Sequence, residues 1–200
     1  MIAQPQTKGV ARPKLTMPAE EAGMLRSAYL GASEILEYGS GGSTVLASEM
    51  PGKRVTSVES DAAWAQMMRD WFAENPGASP VDVVHADIGP TRDWGHPATE
   101  AEWRKFPAYP LAVWDRGIAP DVVLVDGRFR VGCALATAFR TQKPVVVMFD
   151  DYAGRNAYHR VEEFLGQPEM VGRMALFEVS PMPVPHDRLL RVMELICAPL

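Results

Sequence analysis

The sequence predicts a doubly wound α/β domain: a mostly parallel seven-stranded sheet, helices on both faces, and an antiparallel hairpin at its C-terminal end. Three observations lead there. Short β-branched runs alternate with helical segments along most of the chain. The run "VVLVD" (122–126) is apolar up to its last residue and "VVVMF" (145–149) is apolar throughout, as strands covered on both faces are. The alternation then stops, because "MALFEV" and "LLRVMELI" are joined only by the Pro-rich "SPMPVPHDR" and read as two antiparallel strands.

The elements follow in order. Pro18, with Glu20 and Glu21, opens a helix ahead of the first strand, Ile35–Tyr38. Arg54–Glu59 is the second strand. Asp61 can cap a helix whose Trp64, Met67, Met68, Trp71 and Phe72 share one face as core packing. Val81–Ala86 is the third strand. Residues 89–119 contain no clear strand, so a helix plus a functional loop is expected there. The aromatics of that stretch (Trp94, Trp103, Phe106, Tyr109 and Trp114) either line an apolar pocket or pack the loop onto the sheet. Asp121–Asp126 and Pro144–Phe149 are the next strands, separated by a helix carrying Val131, Leu135, Ala138 and Phe139 inward. A helix with Val161, Phe164 and Leu165 ends at Gly166, before Pro168. Met174–Val179 and Leu189–Ile196 complete the sheet.

Two hundred residues suit one domain, expected over 17–200 behind a loose N-terminal arm, 1–16, that carries Lys8, Arg12 and Lys14. A net charge of −5 argues against a nucleic-acid-coating surface. No apolar run approaches the ~20 residues of a membrane helix, and the first residues lack the apolar core of a signal peptide. Cys133 and Cys197 have no metal-type spacing, so a reduced, cytoplasmic chain is expected. The expected partner is a small molecule, with no nucleic acid and no membrane; a homo-oligomer stays open.

The chemistry gathers at strand ends. "EYGSGGST" (37–44) places Gly39, Gly41 and Gly42 just past the first strand, where ligands of open α/β sheets sit. A P-loop would need Lys before the Ser/Thr, and a dinucleotide fingerprint would need Gly where Thr44 stands. The pattern that fits is acidic-x-Gly-x-Gly, from Glu37 to Gly41. Glu59, followed by Ser60, ends the second strand; Asp87, followed by Ile88, ends the third. Over roughly residues 18–197 this arrangement resembles the class I S-adenosylmethionine-dependent methyltransferases. The resemblance implies that Glu37 faces the methionine amino group and that Gly39, Ser40 and Gly41 let the cofactor approach the main chain. It also implies that Glu59 accepts both ribose hydroxyls beside Ser60, and that Asp87 accepts from the adenine amino group beside Ile88. The resemblance further implies that Trp94, a few residues past Asp87, stacks on or near the adenine. The chain departs from the commoner pattern at Gly42 and Ser43.

Methyltransferases acting on nucleobase or amide nitrogen resemble one another in an Asn/Asp-Pro-Pro-Tyr-type stretch after strand four. Here that place reads "VDGRFR", which disfavours the class. Asp126 ends strand four, and Asp150 and Asp151 end strand five. If those strands are neighbours the carboxylates converge, and clustered acids raise a pKa or recruit a hard cation such as magnesium. Catechol-type and macrolide-sugar-type O-methyltransferases resemble this layout. Asp126, Asp150 and Asp151 are therefore candidate metal ligands, Asp126 and Asp150 candidate catalytic groups, and Asp126 also a cofactor neighbour. The alternative is that Arg128, Arg130 or Arg155 pairs with these acids and no metal binds. His159 is a further candidate base. The expected function is O-methylation of a small hydroxylated molecule. A protein of the same fold that binds the cofactor without transferring a methyl group stays open, as does a nicotinamide oxidoreductase.

Overall fold

The structure, a computed structural model, describes residues 11–200. Seven strands make one sheet: β1 Glu34–Tyr38, β2 Arg54–Glu59, β3 Val81–His85, β4 Val122–Val125, β5 Val145–Phe149, β6 Glu169–Val171 and β7 Met174–Val179. Their order is β3-β2-β1-β4-β5-β7-β6. The first five are parallel; β7 runs antiparallel to β5, and β6 antiparallel to β7. The helices are α1 Ala19–Gly31, α2 Gly42–Glu49, α3 Ala62–Glu74, α4 Ala108–Leu111, α5 Arg130–Arg140, α6 Glu162–Leu165 and α7 Leu189–Cys197. No helix among the described residues is long and apolar enough to cross a membrane.

Alternation along the central strands makes two cores. Ile35, Val55, Val122, Leu124 and Met148 pack with Leu25 and Tyr29 of α1 and Leu46 and Ala47 of α2. Leu36, Val123, Val125, Val147 and Phe149 point the other way, onto Val131, Leu135 and Ala138 of α5 and Leu195 of α7. β1, β4 and β5 are covered on both faces; β4 and β5 accordingly read as apolar runs, while β1 keeps Glu34 and Glu37 among its buried residues.

The antiparallel hairpin exists, with a different partner strand. Leu189–Ile196 is not a strand but most of α7, in which Val192, Leu195 and Ile196 are buried at helical spacing. The partner of β7 is β6, three residues ahead of a turn at Gly172, whose φ is 55°. A strand this short carries no readable period.

Two further expectations are corrected. Residues 1–10 of the expected loose arm lie outside the described residues. Residues 11–16 are not loose: Pro13 is buried, Arg12 pairs with Glu49 at 2.7 Å, and the main chain of Lys14 and Leu15 lies against Gly42. In the 89–119 stretch the aromatics divide. Phe106, Tyr109 and Trp114 join the core, while Trp94 and Trp103 are exposed. The stretch itself begins with a two-stranded ribbon, Thr91–Arg92 against His96–Pro97, with Trp94 in its turn.

Candidate active site

The sheet register sets the site. Tyr38 of β1 is paired with Val58 of β2 and with Val125 of β4, and Val125 with Phe149 of β5. Gly39, Glu59, Asp126 and Asp150 therefore stand in one row at the C-terminal edge, with adjacent strands ~4.8 Å apart. Main-chain bonds continue the ladder past the strands: Gly39 N donates to Val58 O at 2.8 Å and Asp126 N to Tyr38 O at 2.9 Å. Connections leave β1 and β4 in opposite directions across the sheet, so the row lies at the topological switch point. A cavity of about 670 Å³ opens over it.

The three glycines of "EYGSGGST" have three different reasons. Gly39 has φ 102°, and a β-carbon there would come within 2.9 Å of Gly127 on the neighbouring turn. Gly42 leaves room for this chain's own Lys14 and Leu15, whose main chain a β-carbon would overlap. Gly41 alone faces open space, and that space is the cavity. Only Gly41 is thus bare toward a ligand.

Glu59 is 8% exposed. Its Oε1 accepts from the backbone N–H of Ser60 at 2.7 Å and Asp61 at 2.9 Å; its Oε2 accepts from Ser40 N at 3.2 Å. Burial pushes its pKa up against those donors. Oε1 is already filled, so Oε2 carries the remaining accepting capacity toward the cavity. Ser60 also lines the cavity, and its hydroxyl donates to Gly95 O at 2.9 Å, tying the ribbon over the tip of β2. Trp94 sits in that ribbon with φ 63°, an outlier for a bulky side chain, and is 89% exposed on the cavity rim. Across from it stands Trp64, whose indole N–H donates to Ser40 O at 2.8 Å. Core packing is correct for Met68 and Trp71, but Trp64 belongs to the cavity wall.

Four expected site residues are not brought into the cavity. Glu37 is fully buried beneath the turn, where it accepts from Tyr29 Oη at 2.6 Å and Thr44 Oγ1 at 2.5 Å. It braces α1 against α2, and burial raises its pKa to about 7 despite those donors. Asp87 points outward, held by Gly89 N at 2.8 Å and Lys105 Nζ at 3.0 Å, which lower its pKa. Ile88 is core. His159 stacks on Tyr152, with ring centroids 4.7 Å apart, and its Nε2 lies 3.1 Å from Tyr152 O.

The acids do converge: carboxylate oxygens of Asp126, Asp150 and Asp151 lie within 4.8 Å of one another. Guanidinium groups fill the space between them. Arg173 grips both oxygens of Asp150, at 3.0 and 2.6 Å, and reaches Asp151 at 3.2 Å. Arg130 lies 3.1 Å from Asp126 and 3.5 Å from Asp151, and Arg155 3.0 Å from Asp151. Three carboxylates meet three guanidinium groups, so a magnesium ion would have to displace the buried Arg130 and the two-point Arg173–Asp150 pair. The residues do not fit that ion. Asp126 differs from the other two: burial, opposed by Arg130 and helped by the two neighbouring acids, lifts its pKa to about 6.

Reading the sequence missed Trp64, His96, Arg128, Arg173 and the 13–17 segment as cavity walls. Arg128 was visible in "VDGRFR", though only as a partner for the acids. Arg173 gave no signal, because it arrives on the turn of an unrecognised hairpin.

No family model matches the sequence, and no curated protein matches it either. Solved structures do. A methyltransferase-like protein from Silicibacter pomeroyi is 59% identical with a TM-score of 0.90, covering 94% of this chain and 99% of that one. At 21% identity and TM-score 0.53, the cofactor-bound Rv0187 from MTB covers 84% of this chain and 83% of its own. The O-methyltransferase TomG from Streptomyces achromogenes, solved with S-adenosylmethionine, is 20% identical with a TM-score of 0.54, covering 83% and 82%. The last two share the fold. Register, Gly-rich turn, acidic strand tip and the first of these relatives together place the chain in a family: it belongs to the class I S-adenosylmethionine-dependent methyltransferases.

Proposed function

We propose that this protein transfers the methyl group of S-adenosylmethionine to an oxygen of a small hydroxylated molecule. The observation that carries the reading is the row of Gly39, Glu59 and Asp126 beneath one cavity, at the switch point of the sheet. Glu59 Oε2 would accept from the ribose, the bare main chain at Gly41 would admit the amino-acid end, and Trp64 and Trp94 would flank the cofactor. When bound, the sulfonium supplies an electrophilic methyl carbon.

Asp126 is the group suited to take the acceptor's hydroxyl proton. With a pKa near 6 it is ionised at neutral pH yet basic enough to be useful. Asp150 is a positioning residue instead, because Arg173 occupies both of its oxygens. No step runs through magnesium. Cys133 and Cys197 are free, which supports a reducing, cytoplasmic setting.

The test is methyl transfer from labelled S-adenosylmethionine to a panel of phenols, catechols and aliphatic hydroxy acids. Asp126→Asn should cut transfer at least a hundredfold, within the range of general-base loss, and leave S-adenosylhomocysteine affinity within a few-fold. An Asp126→Asn variant that transfers at the normal rate would remove the base assignment. No binding of either form of the cofactor would remove the whole reading.

A further inference from the structure

Every arginine lining the cavity has a carboxylate partner except one. Arg130, Arg155 and Arg173 are matched by Asp126, Asp150 and Asp151. Arg128 is 7% exposed and lines the same cavity, but forms no ion pair among the described residues. Its Nη1 meets His96 Nε2 at 2.6 Å, and its Nε is buried without a hydrogen-bond partner. A guanidinium cannot shed its charge, and a buried unpaired cation is costly, so such a group is kept where something else neutralises it. His96 cannot do so. Accepting from Arg128 requires a neutral ring, and the ring's pKa is lowered first by burial, then by Arg128, Arg92, Arg155 and Arg130. Arg128 is therefore left without a carboxylate of its own, with one buried donor unmet.

We propose that Arg128, with His96 beside it, is the subsite for a carboxylate on the methyl acceptor, making the acceptor a hydroxylated carboxylic acid. Arg128 stands two residues past Asp126 on the turn after β4. An acceptor presenting its hydroxyl to Asp126 thus brings its carboxylate to the guanidinium fork, whose geometry matches that group. This rests on the methyltransferase reading. The cofactor's own carboxylate is the competing source of the same chemistry, and the test separates them.

The measurement follows the His96 ring resonance by NMR while acetate is titrated at constant ionic strength, into the protein alone and saturated with S-adenosylhomocysteine. Acetamide serves as the neutral control. The expected result is a saturable shift with acetate in both states, none with acetamide, and at least tenfold weaker binding in Arg128→Gln. A shift in the free protein that S-adenosylhomocysteine abolishes gives the site to the cofactor's carboxylate and overturns the acceptor assignment. Equal responses to acetate and acetamide, or no response to either, overturn the anion site altogether. Should Arg128→Gln fail to fold, the acetate and acetamide comparison on the unaltered protein decides alone. Should S-adenosylhomocysteine itself not bind, the methyltransferase reading fails, while the free-protein arm still reports on Arg128.

Discussion

Arg173 holds Asp150 by two nearly parallel hydrogen bonds, Nε to Oδ1 at 3.0 Å and Nη2 to Oδ2 at 2.6 Å, joining the β6–β7 turn to the tip of β5. Asp150 is 1% exposed, so removing its partner leaves a buried carboxylate uncompensated. Such a loss costs about 3–5 kcal/mol when both groups are buried. Arg173 is partly exposed, which screens the pair, so Arg173→Met should destabilise by nearer 2 kcal/mol in urea unfolding. A change within ~0.5 kcal/mol, the range of ordinary surface substitutions, would mean the pair holds nothing together.

The same geometry predicts how the site treats metals. Titration with magnesium or manganese should give no saturable heat at millimolar concentrations, and a chelator should leave methyl transfer unchanged. Loss of activity on chelation, restored by magnesium, would show that a cation displaces Arg130 or Arg173.

Glu37 makes stability depend on pH in an unusual direction. Its pKa of about 7 in the folded chain lies above its ordinary 4.5, so folding holds its proton more tightly. That contribution is fully present below pH 4.5 and is lost as pH rises toward 7. Its full size is about 3 kcal/mol at most. The stability of the natural protein minus that of Glu37→Gln should therefore fall between pH 5 and pH 8. A difference that stays flat or rises across this window contradicts the buried-carboxyl account.

Gly42 is bare for the sake of the N-terminal segment. Gly42→Ala should lift residues 13–17 off α2 and expose the bond after Lys14, speeding tryptic cleavage there at least tenfold. Gly41→Ala should leave that bond protected and weaken S-adenosylhomocysteine binding instead. The opposite pattern would exchange the two roles.

The sheet was legible because β4 and β5 are apolar runs, each followed directly by an aspartate, and the Gly-rich turn marks the end of β1. α7 was not, since Leu189, Leu190 and Met193 stay exposed and blur its period. β6 was too short to register. In the site, acids at strand tips could be counted from the sequence, but their directions could not. Glu37 and Glu59 both stand at strand tips, yet one is buried under two hydroxyls and the other opens on the cavity. The cations that neutralise Asp150 and Asp151 come from a helix start, a loop and a hairpin turn, and only the fold brings these together.

The central claim is that the cavity over Gly39, Glu59 and Asp126 takes S-adenosylmethionine. Calorimetric titration of the unaltered protein with S-adenosylhomocysteine and, separately, with NAD tests it most directly. One saturable site for S-adenosylhomocysteine, weakened at least tenfold in Glu59→Gln, and no heat with NAD is the predicted result. Binding of NAD with none of S-adenosylhomocysteine would contradict it.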